Sequence, residues 1–352
     1  VQFKGNHIVL FWIGETIILY WLYTKTKIQL LRYASFIVAI LTLLSLLLTW
    51  TNVYLSNFAI IPVLLNKGFI TTSVVAIALF LYHRLMPAET AAVRRTVLIT
   101  AISIAYLAGV LEMYYQFSSR YTDVPIHTIY LLAYTFIVAV LLLKIFRKDA
   151  AYSTLKLFFT IICFAFYLFG LAELGNISLT LLTKGNGWHF AAHWLAAGIL
   201  LWMLYDLCKF FFKRKEDEWI IRDASFAWLM AASIILVLSI EMYQVILWSN
   251  YKDRADWIWW ENLYYKAGLS MLWGICSFAM MWLGMKKSYQ PLRIISLTLF
   301  TITLGKLFLY DIRNIPPGGK IVAFILLGIL LLAVSFMYQR LKKIIIDNKT
   351  DQ

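Results

Sequence analysis

Charge is what this chain has least of. Only 14% of its 352 residues are Asp, Glu, Lys or Arg, and 62% are hydrophobic. A soluble domain carries about a quarter charged residues. The deficit recurs along the whole length, which argues against a soluble protein and for one membrane domain over residues 1–352. Cysteine is scarce as well. Cys163 and Cys276 fall mid-helix and Cys208 near a helix end, so all three read as reduced packing residues rather than a disulfide framework. There is no phosphate-cradling glycine loop, zinc-ligand cluster or nucleophile elbow, so no reaction is legible. No signal peptide is visible, and the chain opens on valine. The expectation is that it forms the C-terminal part of a longer polypeptide.

What the chain does have is long apolar runs, each near the roughly 20 residues that cross hydrocarbon. Eleven spanning helices are expected, over 7–24, 31–50, 67–85, 94–117, 127–146, 152–174, 188–212, 223–249, 262–285, 290–312 and 319–340. Short polar, glycine or proline connections, such as Pro316-Pro317-Gly318-Gly319, favour antiparallel neighbours. The fold class is therefore all-α, a polytopic transmembrane helical bundle.

The net charge of +14 does not imply nucleic acid, because the basic residues form no continuous face. Of 32 lysines and arginines, 22 fall in one alternating set of connections and ten in the other, with the same bias at every crossing. The positive-inside rule then puts residue 1 in the periplasm and Gln352 in the cytoplasm of a bacterial-type inner membrane.

A four-helix rhythm also emerges. The fourth and eighth helices carry Leu111-Glu112-Met113-Tyr114 and Ile240-Glu241-Met242-Tyr243; the third, seventh and eleventh end on Leu81-Tyr82-His83, Leu204-Tyr205-Asp206 and Met337-Tyr338-Gln339. Parallel repeats over 1–120, 121–250 and 251–352 would follow, the last lacking its fourth helix.

Two stretches carry a family resemblance. One is the close, Gly305-Lys306-Leu307-Phe308-Leu309-Tyr310-Asp311 with Tyr338-Gln339-Arg340; the other is the opening, Val1-Gln2-Phe3 with Phe11-Trp12-Ile13-Gly14-Glu15. Together they resemble bacterial membrane proteins grouped as domain of unknown function 2339. The resemblance implies a polytopic membrane protein, usually longer than this chain, and supplies no catalytic residues.

Ionisable groups inside a membrane are the first functional suspects. Glu112 lies roughly 8 Å, and Glu15 and Glu241 roughly 12 Å, inside the outer helix ends. Glu173 stands near the outer end of the sixth helix, so four carboxyls share one leaflet. Burial disfavours a bare charge, so each is expected protonated or hydrogen-bonded. Tyr115 and Gln116 suit Glu112, and Gln244 suits Glu241, at i+3 and i+4. These residues either line a substrate pocket or serve as interhelical glue.

Lys306, Tyr310, Asp311 and Arg313 form either an interfacial cluster or an anion-binding corner for a head group. His189 and His193, at i and i+4, have metal-ligand spacing but no third ligand nearby in sequence, and read more simply as interfacial. No cofactor is called for; a haem would need facing histidines from different helices. The segment 250–262, with Trp257, Trp259 and Trp260 beside Asp253, Asp256 and Glu261, reads as a loop lying at the head groups. Three function classes remain open. The first is a transporter or lipid- or small-molecule-handling protein with a polar pocket in the periplasmic half. The second is a non-catalytic scaffold of an envelope complex, and the third a transferase acting on a lipid carrier. The partners expected are membrane lipids and other membrane subunits, with no nucleic acid.

Overall fold

The computed structural model describes residues 5–55, 61–87, 90–121, 125–148, 151–183, 187–213 and 223–307, with scattered positions from 321 to 332. All regular structure among them is helical. The order is α1 (Asn6–Thr26), α2 (Gln29–Trp50), α3 (Lys67–Leu85), α4 (Ala91–Arg120), α5 (His127–Ile145), α6 (Tyr152–Thr183), α7 (Trp188–Lys213), α8 (Asp223–Asn250), α9 (Arg254–Leu263), α10 (Leu269–Lys286) and α11 (Gln290–Lys306). Two π-helical turns, Thr51–Leu55 and Tyr264–Gly268, come after α2 and α9. Among the described residues, nine helical segments are long and apolar enough to cross a membrane.

Two boundaries differ from expectation. The segment 250–262 is not a loop from Arg254 onward: α9 runs through the π turn into α10 as one helix. Asp253 starts it by accepting the Asp256 N–H at 2.8 Å, a side-chain cap that local charge density disguised as loop chemistry. Helix α6 passes the expected stop at 174 and reaches Thr183. Gly175 and Asn176 are poor helix formers, yet the buried Ile177 and Leu181 beyond them carry the helix on. The expected eleventh span, 319–340, lies almost wholly outside the described residues.

The chain divides into two compact units, residues 1–145 with 170–177, and 146–169 with 178–352. In the first, Val9 and Ile13 of α1, Leu46 of α2, Val75, Ala76 and Leu79 of α3, and Ala101 and Ile104 of α4 form one buried cluster. Alanines let these helices approach closely, which matters where lipid supplies no hydrophobic drive between helices. Polar groups in this core are satisfied locally or across helices. Thr16 and Thr42 bond the carbonyls four residues back, Ser35 donates to Thr16 O at 2.9 Å, and Trp50 Nε1 donates to Thr72 at 2.8 Å.

The second unit is tied the same way. Ser277 of α10 donates to Ser296 O of α11 at 2.8 Å, and Trp273 Nε1 donates to Ser239 of α8 at 3.0 Å. Lys156, near the start of α6, is 4% exposed and ion-paired with Asp206 of α7. Such a pair tolerates burial only while both partners remain.

Candidate functional site

Glu112 is 3% exposed on α4. A carboxylate has about four acceptor positions, and here four donors meet them. The Leu64 N–H and Gln116 Nε2 both reach Oε1 at 2.9 Å, while Asn66 Nδ2 at 2.7 Å and the Tyr54 hydroxyl at 3.3 Å reach Oε2. No lysine or arginine among the described residues joins them. The cradle is built from neutral donors supplied by α4, the π turn after α2, and the segment 61–66 before α3. Asn66 also caps α3 by accepting the Phe69 N–H at 2.8 Å. Leu64 sits at φ +61°, a conformation that costs a leucine roughly 1–2 kcal/mol. Its bond to Glu112 helps hold it there.

The same leucine lines a cavity of about 420 Å³ in the first unit. Phe69, Ala76 and Ile77 of α3, Ala105, Ala108, Gly109 and Met113 of α4, and Tyr134 of α5 form most of the wall, with Glu112 its one carboxyl. Small residues on α4 open the space. Tyr134 fills the gap over Gly109, where a Cβ would come within 2.2 Å of its hydroxyl oxygen.

A second polar site forms in the other unit. The Tyr167 hydroxyl of α6 donates to Glu241 Oε1 of α8, and His193 Nε2 of α7 lies 3.2 Å from the same oxygen, within ion-pair reach though not aligned as a hydrogen bond. Tyr167 and His193 are fully buried and their rings stack, with centroids 6.2 Å apart. The site is not saturated. Glu241 Oε2, both His193 ring nitrogens, Gln244 Oε1 and Trp194 Nε1 are buried without a hydrogen-bond partner among the described residues.

The remaining sequence candidates have scattered positions. Tyr115 is buried, its ring edge-on to Tyr54 at 5.7 Å, so it packs behind the Glu112 cradle. Gln244 is buried one turn from Glu241 but forms no bond to it. Glu15 is half-buried on α1, with no hydrogen-bond or ion-pair partner among the described residues. Glu173 lies ten residues inside the end of α6, and its side chain is outside the described ones. Glu112 and Glu241 belong to different units. Lys306 donates to the Tyr265 carbonyl at 2.6 Å and to Ser270 at 3.2 Å, so it braces the second π turn; Tyr310, Asp311 and Arg313 lie outside the described residues. His189 is half-buried one turn from His193, and no group of three metal-ligating side chains occurs among the described residues.

Sequence reasoning missed Tyr54, Leu64, Asn66 and Tyr167. Asn66 before an apolar run was a readable helix start, but nothing local links the other three to their carboxylates, 48 to 74 residues away.

Membrane-length apolar helices that bury carboxyls on donors from neighbouring helices define a polytopic α-helical membrane protein. The chain belongs to the family described as "Predicted membrane protein (DUF2339)", whose match runs over residues 3–341. The likeness seen at the two ends of the sequence therefore extends through the middle. No curated protein and no solved structure matches the chain.

Proposed function

We propose that this is a multi-pass protein of the bacterial inner membrane that holds or moves a lipid-like or small amphipathic molecule, whose apolar part lies in the α3–α4–α5 cavity. The supporting observation is the cavity itself. At about 420 Å³ it falls within the range of small-molecule sites, about 300–1,000 Å³, and its lining is mostly apolar, with Glu112, Ser73 and Tyr134 as the polar members. In this reading Glu112 shapes one end rather than gripping the ligand. Its acceptor positions are taken, and its bond to Leu64 holds the residue that forms part of the wall. The charge bias of the connections supports an orientation with this end of α4 towards the periplasm.

A scaffold role is the second reading, and the saturation of Glu112 favours it, since a fully satisfied carboxylate braces a bundle. The transferase reading has less to stand on. Asp253 is a helix cap, and Glu261 accepts the Tyr243 hydroxyl at 3.0 Å.

The test is photocrosslinking in bilayer nanodiscs with a phospholipid bearing a diazirine on its acyl chain. Label should concentrate on α3 and α4 and fall at least several-fold in Ala105→Trp, which fills the cavity from an exposed position. Label spread evenly over all outward faces, or undiminished in Ala105→Trp, would refute substrate handling at this site and leave the scaffold.

A further inference from the structure

We infer that Tyr167, His193 and Glu241 form a proton-binding site inside the membrane, with the His193 imidazole as the group that takes and releases the proton. The inference rests on the α6–α7–α8 geometry alone and does not depend on the cavity of the other unit.

Two groups converge on one carboxylate oxygen. The Tyr167 hydroxyl donates to Glu241 Oε1, and His193 Nε2 lies 3.2 Å from it. A hydroxyl donor on Oε1 with an imidazole in ion-pair reach suits an ionised Glu241, whose charge the ring answers when it is protonated. Both ring nitrogens, Nδ1 and Nε2, are buried and have no hydrogen-bond partner among the described residues, so either can take the second proton. With both nitrogens protonated the imidazolium and carboxylate cancel. With only one, the pair leaves one negative charge among three apolar helices, held by the Tyr167 hydroxyl.

The surroundings leave this exchange to the pair. From α6, Cys163 stands one turn before Tyr167 as a buried thiol. From α7, His189 stands one turn before His193, and Phe190 packs on the imidazole at 5.0 Å. From α8, Tyr243 points instead to Glu261 of α9 at 3.0 Å. Among the described residues His193 is the only cationic group within ion-pair reach of Glu241.

A route for the proton is also marked. Buried polar atoms normally find partners, yet Glu241 Oε2, Gln244 Oε1 and Trp194 Nε1 lack one among the described residues. Glu241, Gln244 and Trp248 recur on one face of α8, and Trp194 packs against Trp248 at 5.1 Å. The orphaned atoms thus run along the α7–α8 seam towards the Trp188 and Asn250 ends. Ordered water bridging polar groups of this kind is a usual proton path. Since His193 and Glu241 lie within spanning segments, loading the imidazole would move charge part-way across the bilayer and so respond to membrane potential.

The test is nitrogen NMR of the histidine-labelled chain in bilayer nanodiscs, following all five imidazoles with pH. His193 is identified by the resonance lost in His193→Gln. It should titrate as a single site, and Glu241→Gln should demand at least about tenfold more protons for half-loading. Tyr167→Phe, which keeps the stacked ring, should also move the midpoint, and it serves if Glu241→Gln does not fold. A His193 resonance that never changes across the pH range, or a midpoint unmoved by either substitution, would overturn the proposal.

Discussion

Glu112 and Glu241 occupy the same sequence motif, Glu-Met-Tyr on a spanning helix, yet the two units treat them differently. Around Glu112 four neutral donors fill every acceptor position. Around Glu241 two groups crowd one oxygen and leave the other bare. A saturated carboxylate is expensive to disturb and chemically quiet. An unsaturated one costs stability as it stands, and has room to exchange a proton or bind water. The same residue in the same motif is thus a brace in one unit and an available group in the other.

Substitution should separate the two. Glu112→Ala strands the Leu64 N–H, Asn66, Gln116 and Tyr54 together, so a loss of about 3–5 kcal/mol is expected. Thermal unfolding in nanodiscs reads it, and a melting point within a degree of the wild type would end the idea of a brace. Gly68→Ala acts on the same cradle from behind. Its Cβ would lie 2.8 Å from the Tyr54 ring and push the hydroxyl off Glu112, at a cost of about 1–3 kcal/mol. Glu241→Gln keeps an acceptor for Tyr167, so about 1 kcal/mol or less is expected. A loss equal to that of Glu112→Ala would erase the distinction between the units. Leu64→Gly should have the smallest effect. It relieves the backbone at φ +61°, worth roughly 1–2 kcal/mol, but frees the unfolded chain at a cost of about 1 kcal/mol, so the two largely offset each other.

Much of the architecture was legible because hydropathy speaks for each span separately. The runs at 67–85 and 127–146 coincide with α3 and α5 almost to the residue. Errors arose where a local signal has two meanings. Asp253 and Asp256 look like loop polarity but build a helix start, and Gly175-Asn176 looks like an ending but lies within α6. The sites were half legible. Glu112 and Gln116 pair at i+4, as helical spacing implies. Tyr54, Leu64 and Tyr167 could not be found, because which helix faces which is decided by packing between distant segments. His193 was visible for the wrong chemistry: its spacing to His189 suggested a metal, whereas its neighbour across the helix boundary is a carboxylate.

The π turn at Tyr264–Gly268 has a consequence for how this chain tolerates length changes. A π turn accommodates one residue more than an α turn, and each residue rotates the helix beyond it by about 100°. Deleting one residue there would restore a regular helix and leave the faces of α10 in place, whereas closing the turn to α geometry at full length would swing every side chain of α10 by that angle. In the second case Ser277 would leave Ser296, and the Tyr265 carbonyl that Lys306 now meets would be drawn back into the helical ladder. The turn works as a phase setter between α9 and α10, and Lys306 as the pin that keeps the setting.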